Sequence, residues 1–202
     1  RDAGEQIEEV SGSSRPEHVA ANPRLGFDAY QSMLKGHRAL EEGTLESFDR
    51  ALLHYRHALE LDPSYVNAYL AMAGAYSAAM EDRSVPEREA TEKMALYARK
   101  ALAIDPGLGQ AYRYLGQASS NAGRYSEAAD FLQKAVELNP GDVRILHLMG
   151  LNLRLQGRPN EAIPYYDRAL ALDPLSPVVN ESRGSLLRDL GQFEEAEKQY
   201  RK

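Results

Sequence analysis

Four stretches of the chain share one pattern: Ala58-Leu59-Glu60-Leu61-Asp62-Pro63, Ala101-Leu102-Ala103-Ile104-Asp105-Pro106, Ala135-Val136-Glu137-Leu138-Asn139-Pro140 and Ala169-Leu170-Ala171-Leu172-Asp173-Pro174. Successive prolines stand 43, 34 and 34 residues apart, so the chain repeats with a period of 34 and carries one nine-residue insertion. A period of about 34 residues suits a helix–turn–helix unit stacked on copies of itself. Each hexapeptide reads as the end of a helix. Ala and Leu pack, Asp or Asn follows, and Pro cannot continue the helix because it lacks an N–H and clashes with the preceding turn.

The apolar spacing between these marks predicts ten helices. The first covers about 25–42 and is ended by Gly43, and Thr44 caps a second over about 45–61. The third runs over about 65–80. Pro86 suits the first turn of the fourth, which extends to about Ile104, so the nine extra residues are expected in the fourth helix and its loop. Helices over about 109–122, 126–138, 143–156, 159–172 and 177–190 follow, with Gly123, Gly157 and Gly191 as breaks. Pro164, one turn inside its helix, removes a backbone bond. A tenth helix starts at Phe193. Gln199-Tyr200-Arg201-Lys202 stop inside a helical pattern, as expected of a piece of a longer protein. Residues 1–24, with Asp2, Glu5, Glu8, Glu9 and Glu17 around Ser11-Gly12-Ser13-Ser14, read as an acidic linker or partly ordered arm. The acids of that arm could lie in a basic groove of the same chain or a neighbour.

The pattern inside each unit is a large residue, then Leu-Gly, a second large residue, and later Ala, an aromatic, Ala and Pro. Tyr112, Leu115, Gly116, Ala128, Leu132, Ala135 and Pro140 fit it, as do Leu146, Met149, Gly150, Leu153, Ala162, Tyr166, Ala169 and Pro174. Over about 25–202 the chain therefore resembles a tetratricopeptide repeat domain. The units would be about 25–63, 64–106, 107–140, 141–174 and an incomplete 175–202. Two places depart from the pattern: Gly36 to Ala51 is 15 residues where the family has 12, and Arg183 stands where Leu is usual. The opening stretches Phe27-Asp28-Ala29-Tyr30 and Leu34-Lys35-Gly36-His37 look like C-terminal tetratricopeptide regions of bacterial multidomain signalling proteins. Those include winged-helix regulators and class III adenylate or guanylate cyclases.

The resemblance implies an all-α, right-handed superhelix of antiparallel helix pairs with a concave face lined by the first helix of each unit. Carried onto this chain, that face would present Asn67, Arg113, Gln117, Asn121, Arg144, His147, Arg154 and Arg188. Arg113, Arg144, His147 and Arg154 give it a basic middle suited to the carboxylates of a peptide or acidic helix. The double-carboxylate clamp of the family is incomplete: Gln117 stands one turn after Arg113, and Leu148 stands where Asn is needed. The expected function is non-catalytic binding of a protein or peptide in the groove. The alternative is self-assembly through the open ends of the repeat array.

Other chemistry finds little support. His54 and His57 share a helix face, but zinc wants three or four ligands and no third is near. Tyr55, Tyr69, Tyr76, Tyr112, Tyr166 and Tyr200 fall at packing positions, where a large ring fills the seam. No phosphate loop, nucleophile elbow or dinucleotide fingerprint is present, so neither an enzyme nor a cofactor is expected. A net charge of −6 argues against nonspecific nucleic-acid binding. There is no Cys, hence no disulfide or thiolate site. No apolar run reaches membrane-spanning length, and the sequence reading favours a soluble, cytoplasmic setting.

Overall fold

The computed structural model describes residues 23–81 and 83–201; the reading of the acidic arm falls almost wholly outside them. They form ten α-helices and no strand. The helices are α1 (Pro23–Glu41), α2 (Leu45–Leu61), α3 (Val66–Glu81), α4 (Glu87–Ile104), α5 (Gly109–Asn121), α6 (Tyr125–Leu138), α7 (Val143–Leu155), α8 (Pro159–Leu172), α9 (Pro177–Asp189) and α10 (Phe193–Tyr200). The first helix starts at Pro23, two residues before the sequence reading puts it.

The repeated hexapeptides end α2, α4, α6 and α8. The residue before each proline is pushed out of the helical region by the proline ring. Asp62, Asp105, Asn139 and Asp173 accordingly have ψ of 94°, 105°, 72° and 88°. Their N–H groups still donate to Ala58, Ala101, Ala135 and Ala169, and those four alanines are completely buried. A larger side chain there would hold the helices of a pair apart.

Glycine ends α1, α5, α7 and α9. Gly43, Gly123, Gly157 and Gly191 have φ of +67°, +72°, +73° and +76°. After α5, α7 and α9 the next N–H reaches back five residues, Arg124 to Ser119, Arg158 to Leu153 and Gln192 to Leu187. This left-handed closure satisfies carbonyls the helix leaves open. After α3 the same closure is made by Ser84 to Ala79, but Arg83 takes the glycine slot with φ of +60°.

The nine inserted residues are shared out. Relative to α5 and α6, α3 is three residues longer, the connection two longer and α4 four longer. The expectation that α4 and its loop absorb them all is therefore corrected. Pro86 is the cap before α4 and lies outside its first turn. Good helix formers flank the loop on both sides, Ala78-Ala79-Met80-Glu81 before it and Glu87-Arg88-Glu89-Ala90 after it, so both helices extend.

Successive odd helices touch, α1 with α3, α3 with α5, α5 with α7 and α7 with α9, whereas no two even helices do. Helices that pack together on one side and spread on the other must curve, and the odd helices line the inner wall. In four of the five pairs one glycine on the odd helix faces a ring or leucine on its partner. A β-carbon on Gly36, Gly116, Gly150 or Gly184 would lie 2.4 Å from Tyr55, 2.5 Å from Leu132, 2.9 Å from Tyr166 and 2.5 Å from Tyr200. Gly36 thus makes the same kind of contact as the other three despite its longer spacing to α2. Tyr55, Tyr76 and Tyr166 fill the seams as expected, while Tyr69 and Tyr112 are half-buried and Tyr200 is exposed. Arg183 replaces leucine packing with polar bridges, Nε to Asp167 Oδ1 at 2.9 Å and Nη1 to Gln199 Oε1 at 3.3 Å.

Candidate functional site

The inner wall holds two adjoining hollows. One, of about 530 Å³, lies among α3, α5, α7 and the start of α9. It is lined by Ser77, Glu81, Arg113, Tyr114, Gln117, Arg144, His147 and Leu148, with Val143, Val178 and Val179 on the α7–α9 side. The other, of about 400 Å³, lies toward α1 and is mostly aromatic and aliphatic: Tyr30, Leu34, His37, Tyr55, Tyr65, Asn67, Leu70 and Tyr114. Gly74 and Tyr114 border both, so the two make one continuous groove.

Spacing on the helices explains the set. Positions 110, 113/114 and 117 of α5, and 144 and 147/148 of α7, recur every three or four residues and so share a face. The apolar residues between them turn toward the even helices.

Arg113 is the centre of the larger hollow. It is 5% exposed, and its Nε has no hydrogen-bond partner. Its guanidinium lies 4.1 Å from the ring centroid of Tyr114, a cation–π contact that offsets part of the lost hydration. Among the described residues it makes no ion pair. Gln117, also buried, accepts a hydrogen bond from Ser77 Oγ at 3.1 Å and so ties α5 to α3.

The remaining predicted residues divide. Arg144 is exposed on the groove rim and has no carboxylate partner among the described residues. His147 lines the groove but is no cation at neutral pH. Burial pulls its pKa down from 6.5 to about 4, and its Nε2 shares a 2.8 Å hydrogen bond with Ser182 Oγ. Arg154 is already engaged, its Nε donating to Asp189 Oδ2 at 2.6 Å across α7 and α9. The basic middle read from the sequence therefore shrinks to Arg113 and Arg144. Asn67 lies in the aromatic hollow. Asn121 borders a separate depression between α4 and α5, and its Nδ2 points at Met80 Sδ, 3.0 Å away. Arg188 is exposed and borders neither hollow of the groove.

Tyr114 was not among the predicted residues, although it borders both hollows and is the shelf for Arg113. Its place four residues after Gln110 and beside Arg113 is the signal that could have revealed it. Gln110 Nε2 donates to its hydroxyl at 3.3 Å. His57 of the histidine pair meets Glu60, and no group of three metal-ligating side chains occurs among the described residues. None of the described helices is long and apolar enough to cross a membrane.

Family models of the tetratricopeptide repeat match residues 109–142, 143–176 and 179–202. No curated protein matches the chain. Similar solved structures include PilF of Pseudomonas aeruginosa, at 25% identity and a TM-score of 0.70 over 88% of this chain and 75% of that one. A thermophilic TPR protein of Thermus thermophilus matches at 20% identity and a TM-score of 0.68, over 85% of this chain and 88% of that one. MamA matches at 23% and 0.61, over 82% and 90%. Identities this low speak for the fold. Residues 109–176 and 179–202 match tetratricopeptide repeats, and the described residues fold as a solenoid of stacked helix pairs like those solved structures.

Proposed function

We propose that this chain is a non-catalytic binding module that holds a segment of another protein in the groove formed by α1, α3, α5, α7 and α9. Tetratricopeptide proteins bind proteins or peptides, and the inner wall here has the make-up of such a site. The observation that carries the reading is the continuous groove itself. It sets exposed aromatic and aliphatic side chains, Tyr30 and Leu34 among them, beside a polar stretch around Arg113. Interfaces take most of their energy from buried aromatic and Arg anchors of this kind. The opening stretches from Phe27 to His37 support placing the module in a larger bacterial signalling protein, where it would dock a partner or an adjacent domain.

The test is photo-cross-linking in cells. A photoreactive amino acid replaces Val178, which is 56% exposed in the groove, or Leu53, which is 59% exposed on α2. A defined protein cross-linked from position 178 and not from position 53 supports the reading. Cross-links only from position 53 refute it. Cross-links from position 178 to a second copy of this chain would favour self-assembly instead.

A further inference from the structure

We propose that the groove recognises an internal Asp or Glu side chain standing between two apolar residues, with its carboxylate seated on Arg113. This rests on the groove-binding reading above and names the chemistry of its ligand. The starting point is an unbalanced charge. Arg113 is 95% removed from solvent, its Nε is unpartnered, and no carboxylate among the described residues pairs with it. A guanidinium stays charged at any ordinary pH, and a buried charge without a counter-ion is costly. The Tyr114 ring face offsets only part of that cost. A carboxylate is the ligand group that matches the remaining donors of the planar fork.

The surroundings of Arg113 argue against the other ways of satisfying it. Gln117 Oε1 already accepts from Ser77, and His147, neutral and bonded to Ser182, adds no second cation. Glu81 borders the same hollow without pairing with Arg113, so a second carboxylate there would meet this acid and only the exposed Arg144 as a further cation. Apolar surface flanks Arg113 along the groove in both directions: Tyr30, Leu34 and Tyr65 on the α1 side, Val143 and Val178 on the α9 side. A chain that passes through, with an apolar residue on each side of the acid, covers both flanks. A chain that ends on Arg113 leaves one flank bare.

The test uses the full chain, labelled with ¹⁵N, and a short peptide capped at both ends that carries one glutamate between two leucines. Addition of the peptide should shift the Nε–H resonance of Arg113 and the amides of Tyr114, Gln117 and Arg144. The same peptide with glutamine in place of glutamate should bind at least tenfold more weakly. In Arg113→Gln the two peptides should bind alike. If both peptides bind the intact groove equally, Arg113 is not the anchor and the inference fails, while the groove reading stands. If an uncapped peptide that ends in its carboxylate, with no acidic side chain, binds more tightly than the capped one, the ligand is a chain end and the inference fails. If none of them shifts groove resonances at millimolar concentration, the inference is overturned, and the cross-linking from position 178 decides the broader reading on its own.

Discussion

Tyr114 lies across Gly74. A β-carbon on Gly74 would stand 2.6 Å from the Tyr114 hydroxyl, so only glycine on α3 lets the tyrosine of α5 take its place. That tyrosine borders both hollows of the groove and carries the Arg113 guanidinium. Gly74→Ala should displace the ring while raising helix propensity by up to about 1 kcal/mol. The expected outcome is a chain whose stability stays within about 1 kcal/mol of the original but which binds its groove ligand more weakly. Chemical denaturation and ligand titration on the same variant check it.

Gly150→Ala should behave differently. Its new carbon would come within 2.9 Å of two ring atoms of Tyr166, a side chain with no exposed surface and no room to yield. Overpacking of this kind costs roughly 1–3 kcal/mol. Gly26→Ala, whose β-carbon would meet nothing within 4 Å, is the control and should be neutral or stabilising. Urea unfolding of both variants gives the comparison.

Arg83 occupies a left-handed position that glycine fills after α1, α5, α7 and α9. A non-glycine residue there bears a steric penalty of about 1–2 kcal/mol, part of which glycine returns as extra freedom in the unfolded chain. Arg83→Gly should therefore stabilise the protein by about 0.5–1 kcal/mol, read as a higher midpoint in thermal unfolding.

His147 makes stability depend on acid. Burial lowers its folded-state pKa to about 4, below the ordinary 6.5, so protonation favours the unfolded chain. Its contribution is complete above about pH 6.5 and is lost as the pH falls from there through 4. At its fullest it is on the order of 3 kcal/mol. His147→Gln keeps a polar side chain beside Ser182 without the titration. Unfolding midpoints between pH 7 and pH 4.5 should fall less steeply in that variant than in the original.

Helix ends were the most legible part of the sequence, for a local reason. Asp62-Pro63 and its three counterparts, and Gly123, Gly157 and Gly191, each impose a backbone geometry on their own neighbours. The inner-wall face was legible only in part: helical periodicity placed Asn67, Arg113, Gln117, Arg144 and His147 along the hollows, but not Asn121, Arg154 or Arg188. What escaped depends on partners far along the chain. Arg154 meets Asp189, 35 residues on, and His147 meets Ser182 at the same separation, so nothing local told that one cation was spent and the other group neutral. The insertion was misplaced because its polar, turn-forming residues mark the loop but leave the lengths of α3 and α4 free to trade.

Hydrogen–deuterium exchange of the full chain, with and without the partner recovered by cross-linking, is the most direct measure of the groove's role. Slower exchange on binding is expected in α3, α5 and α7, centred on residues 110–121 and 143–151, with α2, α4, α6 and α8 little changed. Protection concentrated on the even-numbered helices, with 110–121 unaffected, would contradict the account.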